Sequence, residues 1–382
     1  MEAKYVAWRR KYVRSCAQGL YVFYNDKGDN GDAVTCSEAH GYGMLISILH
    51  KKKRSDPSAP PTWLLCSAWF SQQDFDEMLR YFLSFRNQNG LMQWQQQINK
   101  RTHEIFTEVP EGATSATDGD IDIATALFLA SRAFPQGSPA FPAGAYAYEA
   151  AQLSTAILRH CIHPHFSTPL LGDWCSPGDK KNTRLFNSTR TSDFILSGFL
   201  VFHRLHPNPS ERAQWQVVLE ATLAIALAQY PQHAPLGLLP DFLEWDQSHG
   251  WRPAHGKLLE GKHDGQMSWN ACRTPWRLAH YYAMTGDQRI LPLLQRMHHT
   301  LSTHRAFPSV PAGISITNGS ALEDYTDRAY IAPAAYLCYT VGDYQNQRRA
   351  LSQLEEEDSS YFGDSIDLVI GEMATAGPAG WA

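Results

Sequence analysis

Apolar residues recur at helical spacing in segment after segment of the chain, while alternating runs long enough for strands are few, so the sequence reads as all-helical. The helical segments are of two kinds. Those near 3–15, 70–87, 145–160, 211–229, 287–302 and 344–355 are amphipathic, with one apolar stripe. Those near 38–50, 119–134, 192–205, 270–284, 327–341 and 364–376, with runs such as DIATALFLASRAF and FILSGFLVF, are apolar around most of their circumference, as helices buried on both sides must be. The two kinds alternate strictly, and six inner plus six outer helices make an α/α toroid. At 382 residues the chain is too long for one small core and too short for several independent domains, so a single catalytic-size domain over 1–382 is expected.

Composition narrows the function classes. A net charge of -5, with no basic block beyond KKKR at 51–54, provides no electrostatic footprint for nucleic acid. No apolar segment reaches membrane-spanning length, so no membrane partner is expected. The start, MEAKYVAWRRKYV, does not have the shape of a signal peptide. Seven cysteines, at 16, 36, 66, 161, 175, 272 and 338, contain no CxxC pair and read as buried free thiols. HEIF at 103–106 lacks the second histidine of a zinc helix, and no other ligand spacing follows, so neither metal nor cofactor is expected.

Against this background the carboxylates stand out by position. Glu38, Asp118 with Asp120, Asp193 and Asp364 all fall at or just before the start of a buried helix. Helix starts attract acids as ordinary caps, and Asp193 in TRTSDF and Asp364 in YFGDS fit that role as well as a functional one. Glu38 is different: Ser37 already offers a cap, and the two glycines of AHGYGM would weaken an ordinary helix start unless something approaches the backbone there. Three aspartates in the five positions of DGDID raise one another's pKa values, a cost without structural return unless a ligand or solvent uses them.

SEAHGYGM resembles the acid motif, and ATDGDIDIATALFLA the aspartate signature, of family 8 glycoside hydrolases. The likeness continues in family order through LGDW, TRTSDF, GLLPDF, WNACRTPWR and YFGDS. The resemblance implies an (α/α)6 barrel and inverting hydrolysis of a β-1,4-linked polysaccharide. One carboxylic acid then protonates the leaving oxygen, and a carboxylate roughly 6.5–9.5 Å away activates water. By the same resemblance Glu38 is the general acid, and Asp118 holds the sugar at the cleavage point.

One departure matters. Many family members carry an aspartate base where this chain has Asn270, and an amide cannot usefully accept the water's proton. In the chitosanase-type subgroup an Asn stands here and a glutamate on the preceding loop takes over. Glu260 has that spacing, with Asp264 as the rival on a loop, 244–267, too long for a simple connector. Sugar faces stack on aromatic rings, which nominates Trp94, Trp174, Tyr42 and Phe362 beside the matched motifs. Asp120, Asp193, Asn270 and Arg273 complete the expected substrate contacts. Arg190 and Arg273 suit either orienting carboxylates or tying helix ends together.

The loop glutamate points to chitosan as substrate and to an endo-chitosanase, although Thr114 stands where chitosanase relatives tend to place a further aspartate. An endo-β-1,4-glucanase or lichenase acting on β-glucan is the alternative, and a catalytically inactive polysaccharide-binding module is the alternative of another class. A lyase would need a basic groove, which the acidic motifs oppose. The expected enzyme is a secreted monomer whose only partner is its polysaccharide.

Overall fold

The structure, a computed structural model, describes residues 1–52, 65–178 and 183–381. The side chains of the KKKR run and of Cys66 lie outside the described residues. The helices are α1 (Glu2–Tyr12), α2 (Ser37–Lys52), α3 (Leu65–Ser84), α4 (Thr117–Ala133), α5 (Ala145–His160), the single turn α6 (Thr183–Phe186), α7 (Leu196–Leu205), α8 (Pro209–Gln229), α9 (Thr274–Thr285), α10 (Leu291–Ser302), α11 (Arg328–Thr340), α12 (Tyr344–Glu356) and α13 (Tyr361–Ala376). All but α6 fall on the twelve segments expected from periodicity. The contrast between the two kinds also appears: α4 is buried continuously from Thr117 to Ala130, whereas α12 buries only Ala350 and Leu354.

Short strands add what periodicity missed. They are β1 (Val13–Cys16), β2 (Gly19–Val22), β3 (Ala33–Cys36), β4 (Gln95–Ile98), β5 (Ile105–Phe106), β6 (Ser188–Arg190), β7 (Phe242–Asp246) and β8 (Gly250–Pro253). They form an antiparallel β1–β2 hairpin and two three-stranded sheets, β3–β4–β5 and β6–β7–β8.

Helix boundaries depart from expectation for local reasons. The segment expected as helix 3–15 ends at Tyr12, because β-branched Val13 turns extended and pairs with Val22. The helix expected from 287 starts at Leu291, where Pro292 occupies the first turn, a position at which its missing N–H costs nothing. The segments expected from 192 and 270 open with 3-10 turns, Thr191–Asp193 and Ala271–Arg273, before α7 and α9 begin.

The described residues gather into two compact units with interleaved sequence: Met1–His160 with Val201–Arg212 and Ser360–Ala382, and Cys161–Leu200 with Ala213–Ser359. In the first, α2 packs against α3, α4 and α13. In the second, α11 packs against α9, α10 and α12.

Candidate active site

In the first unit the site begins with two glycines. A Cβ on Gly41 would lie 2.9 Å from Asp122 Cβ and 3.1 Å from the Gly119 carbonyl oxygen, and one on Gly119 would lie 2.5 Å from the Ser37 carbonyl carbon. So α2 and α4 meet backbone to backbone in their first turns, and the partner that the glycines of AHGYGM admit is α4. Glu38 and Asp118, each the second residue of its helix, are thereby brought to one locality. The Cys36 thiol registers both, being raised mainly by its burial, then by the Glu38 carboxylate and to a smaller extent by Asp118.

Ser37 does not cap α2 as expected. It is the helix's first residue, its buried hydroxyl has no hydrogen-bond partner among the described residues, and it lies against Gly119. Its backbone N–H instead donates to the Trp94 carbonyl at 2.9 Å. Trp94, half-buried, is fixed from two more directions: its indole N–H donates to the Glu111 carbonyl at 2.7 Å and its amide to the Thr114 carbonyl at 2.7 Å. The Thr114 hydroxyl donates to Glu111 O at 3.0 Å.

Three expectations in this unit are corrected. Tyr42 is 0% exposed, one turn beyond Glu38 in a helix buried on all sides, so its ring offers no face to a sugar. Asp120 is likewise 0% exposed and accepts the Met92 amide at 2.8 Å, which anchors the segment leading to Trp94. Asp364 is no cap: the Ser360 hydroxyl accepts the Gly363 N–H, while Asp364 takes a 2.8 Å hydrogen bond from Tyr12 and lies 3.7 Å from Lys11 Nζ, tying α13 to α1. Phe362 remains half-buried at the start of α13. Tyr24 was missed. Its hydroxyl, which accepts from Gln95 Nε2 at 2.7 Å, has its pKa raised mainly by burial, with Cys36 and Glu38 contributing. No motif marks Tyr24.

In the second unit a polar chain runs from Arg190 to Glu260. Arg190 Nε donates to Asp193 Oδ1 at 2.8 Å, and Ser192 Oγ donates to the same oxygen at 3.1 Å. Arg273 Nη2 reaches Ser192 Oγ at 3.1 Å and Asn270 Oδ1 at 3.0 Å, while its Nε donates to the Asn270 carbonyl at 3.2 Å. With Oδ1 claimed by a guanidinium, Asn270 must turn its Nδ2 outward, and it donates to Glu260 Oε2 at 2.8 Å. Arg190 thus orients a carboxylate, and Arg273 orients an amide. Asp193 and Arg273 are fully buried and spend their polar atoms within this chain of bonds. Trp174 is half-buried and packs on a cluster of Leu170, Leu171, Cys175, Phe186, Phe242 and Ala254.

The two rival carboxylates have opposite surroundings. Glu260 is exposed. Asp264 is 2% exposed, and its oxygens accept the amides of Leu258, Leu259, Glu260 and Gly261 at 2.7–3.1 Å. It shapes the loop that displays Glu260. A further acid was missed: Asp241, in GLLPDF, is buried and accepts the amides of Ser268 and Ala271 on one oxygen at 2.8 and 2.7 Å. Burial pushes its pKa up to about 7 against the pull of those amides, and Glu260 adds to the rise. The quoted motif contained it, but nothing in the sequence distinguished it from a turn residue.

Helices α2 and α4 thus open on Glu38 and Asp118, and in the second unit Asn270 holds Glu260 on a loop shaped by Asp264. The profile of glycosyl hydrolases family 8 matches residues 62–376, and the chain belongs to that family. Its fold class is all-α, the (α/α)6 barrel. It is 31% identical over 376 residues to a beta-glucanase of Niallia circulans, covering 96% of this chain and 82% of that protein. It is 27% identical to endoglucanase A of Acetivibrio thermocellus, covering 97% and 67%. Among solved structures it resembles the beta-1,3-1,4-glucanase from Paenibacillus sp. X4, with a TM-score of 0.80 at 29% identity over 97% of this chain and 89% of that one. A cold-adapted family 8 xylanase shares the fold, with a TM-score of 0.73 at 14% identity over 97% and 89%. Among the described residues no helix is long and apolar enough to cross a membrane.

Proposed function

We propose that this glycoside hydrolase is an inverting endo-β-glucanase, with mixed-linkage or β-1,4-linked glucan as substrate. Glu38 acts as general acid and Glu260 as the base that activates water. Asp118 holds the sugar at the cleavage point, and Trp94, Trp174 and Phe362 supply stacking faces. The observation that carries the mechanism is the 2.8 Å bond from Asn270 Nδ2 to Glu260 Oε2. It fixes one carboxylate oxygen and leaves the other to take the proton of water, so the amide that cannot serve as base instead aims the one that does.

Glucan is preferred here to the chitosan expected from the loop glutamate. Support for glucan comes from the names of the beta-glucanase and endoglucanase relatives and from Thr114, a neutral side chain engaged with a backbone carbonyl where an ammonium would need a carboxylate. Chitosan is the second reading, favoured by the Asn270 and Glu260 arrangement. Lichenan, carboxymethylcellulose and chitosan, digested in parallel with products sized, decide between them. Glucans should be cut internally and faster than chitosan, and the new reducing end should appear with inverted configuration. Faster cleavage of chitosan at low salt overturns the glucan assignment, and a retained anomer overturns the mechanism.

A further inference from the structure

Three donor side chains, none of which has a part in the proposed mechanism, lie together. His298 lies on α10, Cys338 near the end of α11, and Asp343 at the cap of α12; the imidazole nitrogen, the thiol sulfur and a carboxylate oxygen lie within 4.8 Å of one another. His298 Nε2 is 2.9 Å from Asp343 Oδ2. Asp343 is itself fixed, accepting the Asn346 amide at 3.1 Å on Oδ1 and Asn346 Nδ2 at 2.7 Å on Oδ2. The Asp343 N–H donates to the Cys338 carbonyl at 2.8 Å, which closes the turn between α11 and α12 and keeps thiol and carboxylate together. Cys338 is 2% exposed, while His298 and Asp343 are half-buried, so one side of the cluster is open to water.

We infer that His298, Cys338 and Asp343 form a binding site for a divalent transition-metal ion, zinc by the chemistry of its donors, which clips α10, α11 and α12 together. One nitrogen, one sulfur and one oxygen suit a borderline-soft cation that prefers four ligands, with water as the fourth. Calcium and magnesium would want oxygen alone. Ligand bonds of about 2.0–2.3 Å require the three donors to draw in slightly, a movement open to the half-exposed histidine. The hydrogen bond now joining His298 to Asp343 becomes a nitrogen–metal–oxygen bridge, and Asn346 keeps the carboxylate oriented from behind. Burial, with the Asp343 carboxylate adding to it, pushes the Cys338 thiol up to about 12, so without a cation the thiol keeps its proton and binding releases it.

The test is a cobalt(II) titration of chelator-treated protein followed by displacement with zinc. An equimolar complex is expected, with a sulfur-to-cobalt charge-transfer band and the visible bands of tetrahedral cobalt, and zinc should raise Tm. Loss of an outer partner of a metal site costs about 10–100-fold in affinity, so His298→Gln, which removes a direct ligand, should cost at least about 100-fold. Cys338→Ser should abolish the charge-transfer band, with Cys338→Ala in its place should the serine variant not fold. Absence of the band in the wild-type protein, or an undiminished band in either the cysteine or the histidine variant, overturns the site.

Discussion

Glu260 and Asp264 stand four residues apart on one loop, and what separates them is their donors. Asp264 has both oxygens claimed by four backbone amides, whereas Glu260 takes one side-chain amide and faces solvent. Glu260→Gln should therefore lower kcat by about 10²–10⁴ with Tm unchanged, because only proton acceptance is lost. Asp264→Asn should also lower activity, but by loosening the loop, since its new NH2 group faces donors. Faster tryptic cleavage at Lys257 or Lys262 in that variant alone checks the distinction. Asp241 makes the pH prediction. Its folded pKa of about 7 lies above the ordinary 3.8, so the folded state holds the extra proton and stability falls as pH rises from about 4 to about 7. Asp241→Asn keeps an acceptor for Ser268 and Ala271 and carries no charge. It should match the wild type near pH 4 in thermal melts and exceed it at pH 8 by on the order of 1 kcal/mol or more. Equal stability at both pH values would remove the assignment. The sequence nominated Glu260, with Asp264 as its rival, by spacing to Asn270, but which of Asp241, Glu260 and Asp264 is desolvated depends on backbone amides that no residue code specifies.

At the scale of elements, the helices were readable because long segments repeat their period often enough to establish it. Strands of two to five residues do not, which is why the Val13–Val22 hairpin was missed. Orientation was the other gap. Tyr42 and Trp94 both border matched motifs, yet one sits in the middle of a buried helix and the other on a loop anchored by Glu111, Thr114 and Ser37. The contact between α2 and α4 allows a direct test. Replacing Gly119 with Ala gains about 1 kcal/mol of helix propensity, but the added methyl meets the Ser37 backbone at 2.5 Å, and overpacking against backbone costs about 1–3 kcal/mol. Clash should outweigh propensity. Gly119→Ala is expected to lower Tm and to depress activity by shifting the first turns that carry Glu38 and Asp118; a raised Tm would show that the helices separate at no cost.

For the whole molecule, charge distinguishes the two substrates. The protein carries a net charge of -5, and a neutral glucan neither gains nor loses by that field, whereas a protonated glucosamine polymer is drawn to it. Glucan hydrolysis should hold steady from low to high ionic strength, while any chitosan hydrolysis should fall as the Debye length shrinks from about 30 Å at 0.01 M to about 3 Å at 1 M. A salt-sensitive rate on lichenan would count against the proposed mode of binding. The interleaved sequence of the first unit also sets the order in which it is completed. Because α2 packs against α13 as well as α3 and α4, one part of its cover is encoded roughly 300 residues downstream, and at about 5–20 residues per second it leaves the ribosome about 15–60 s later. During that interval Met44, Leu45, Ile46 and Leu49, all fully enclosed in the finished protein, belong to a helix whose surroundings are incomplete. Synthesis in the cell thus passes through a stage in which a sticky helix awaits its last neighbour, and the nascent chain is then a natural client for a chaperone.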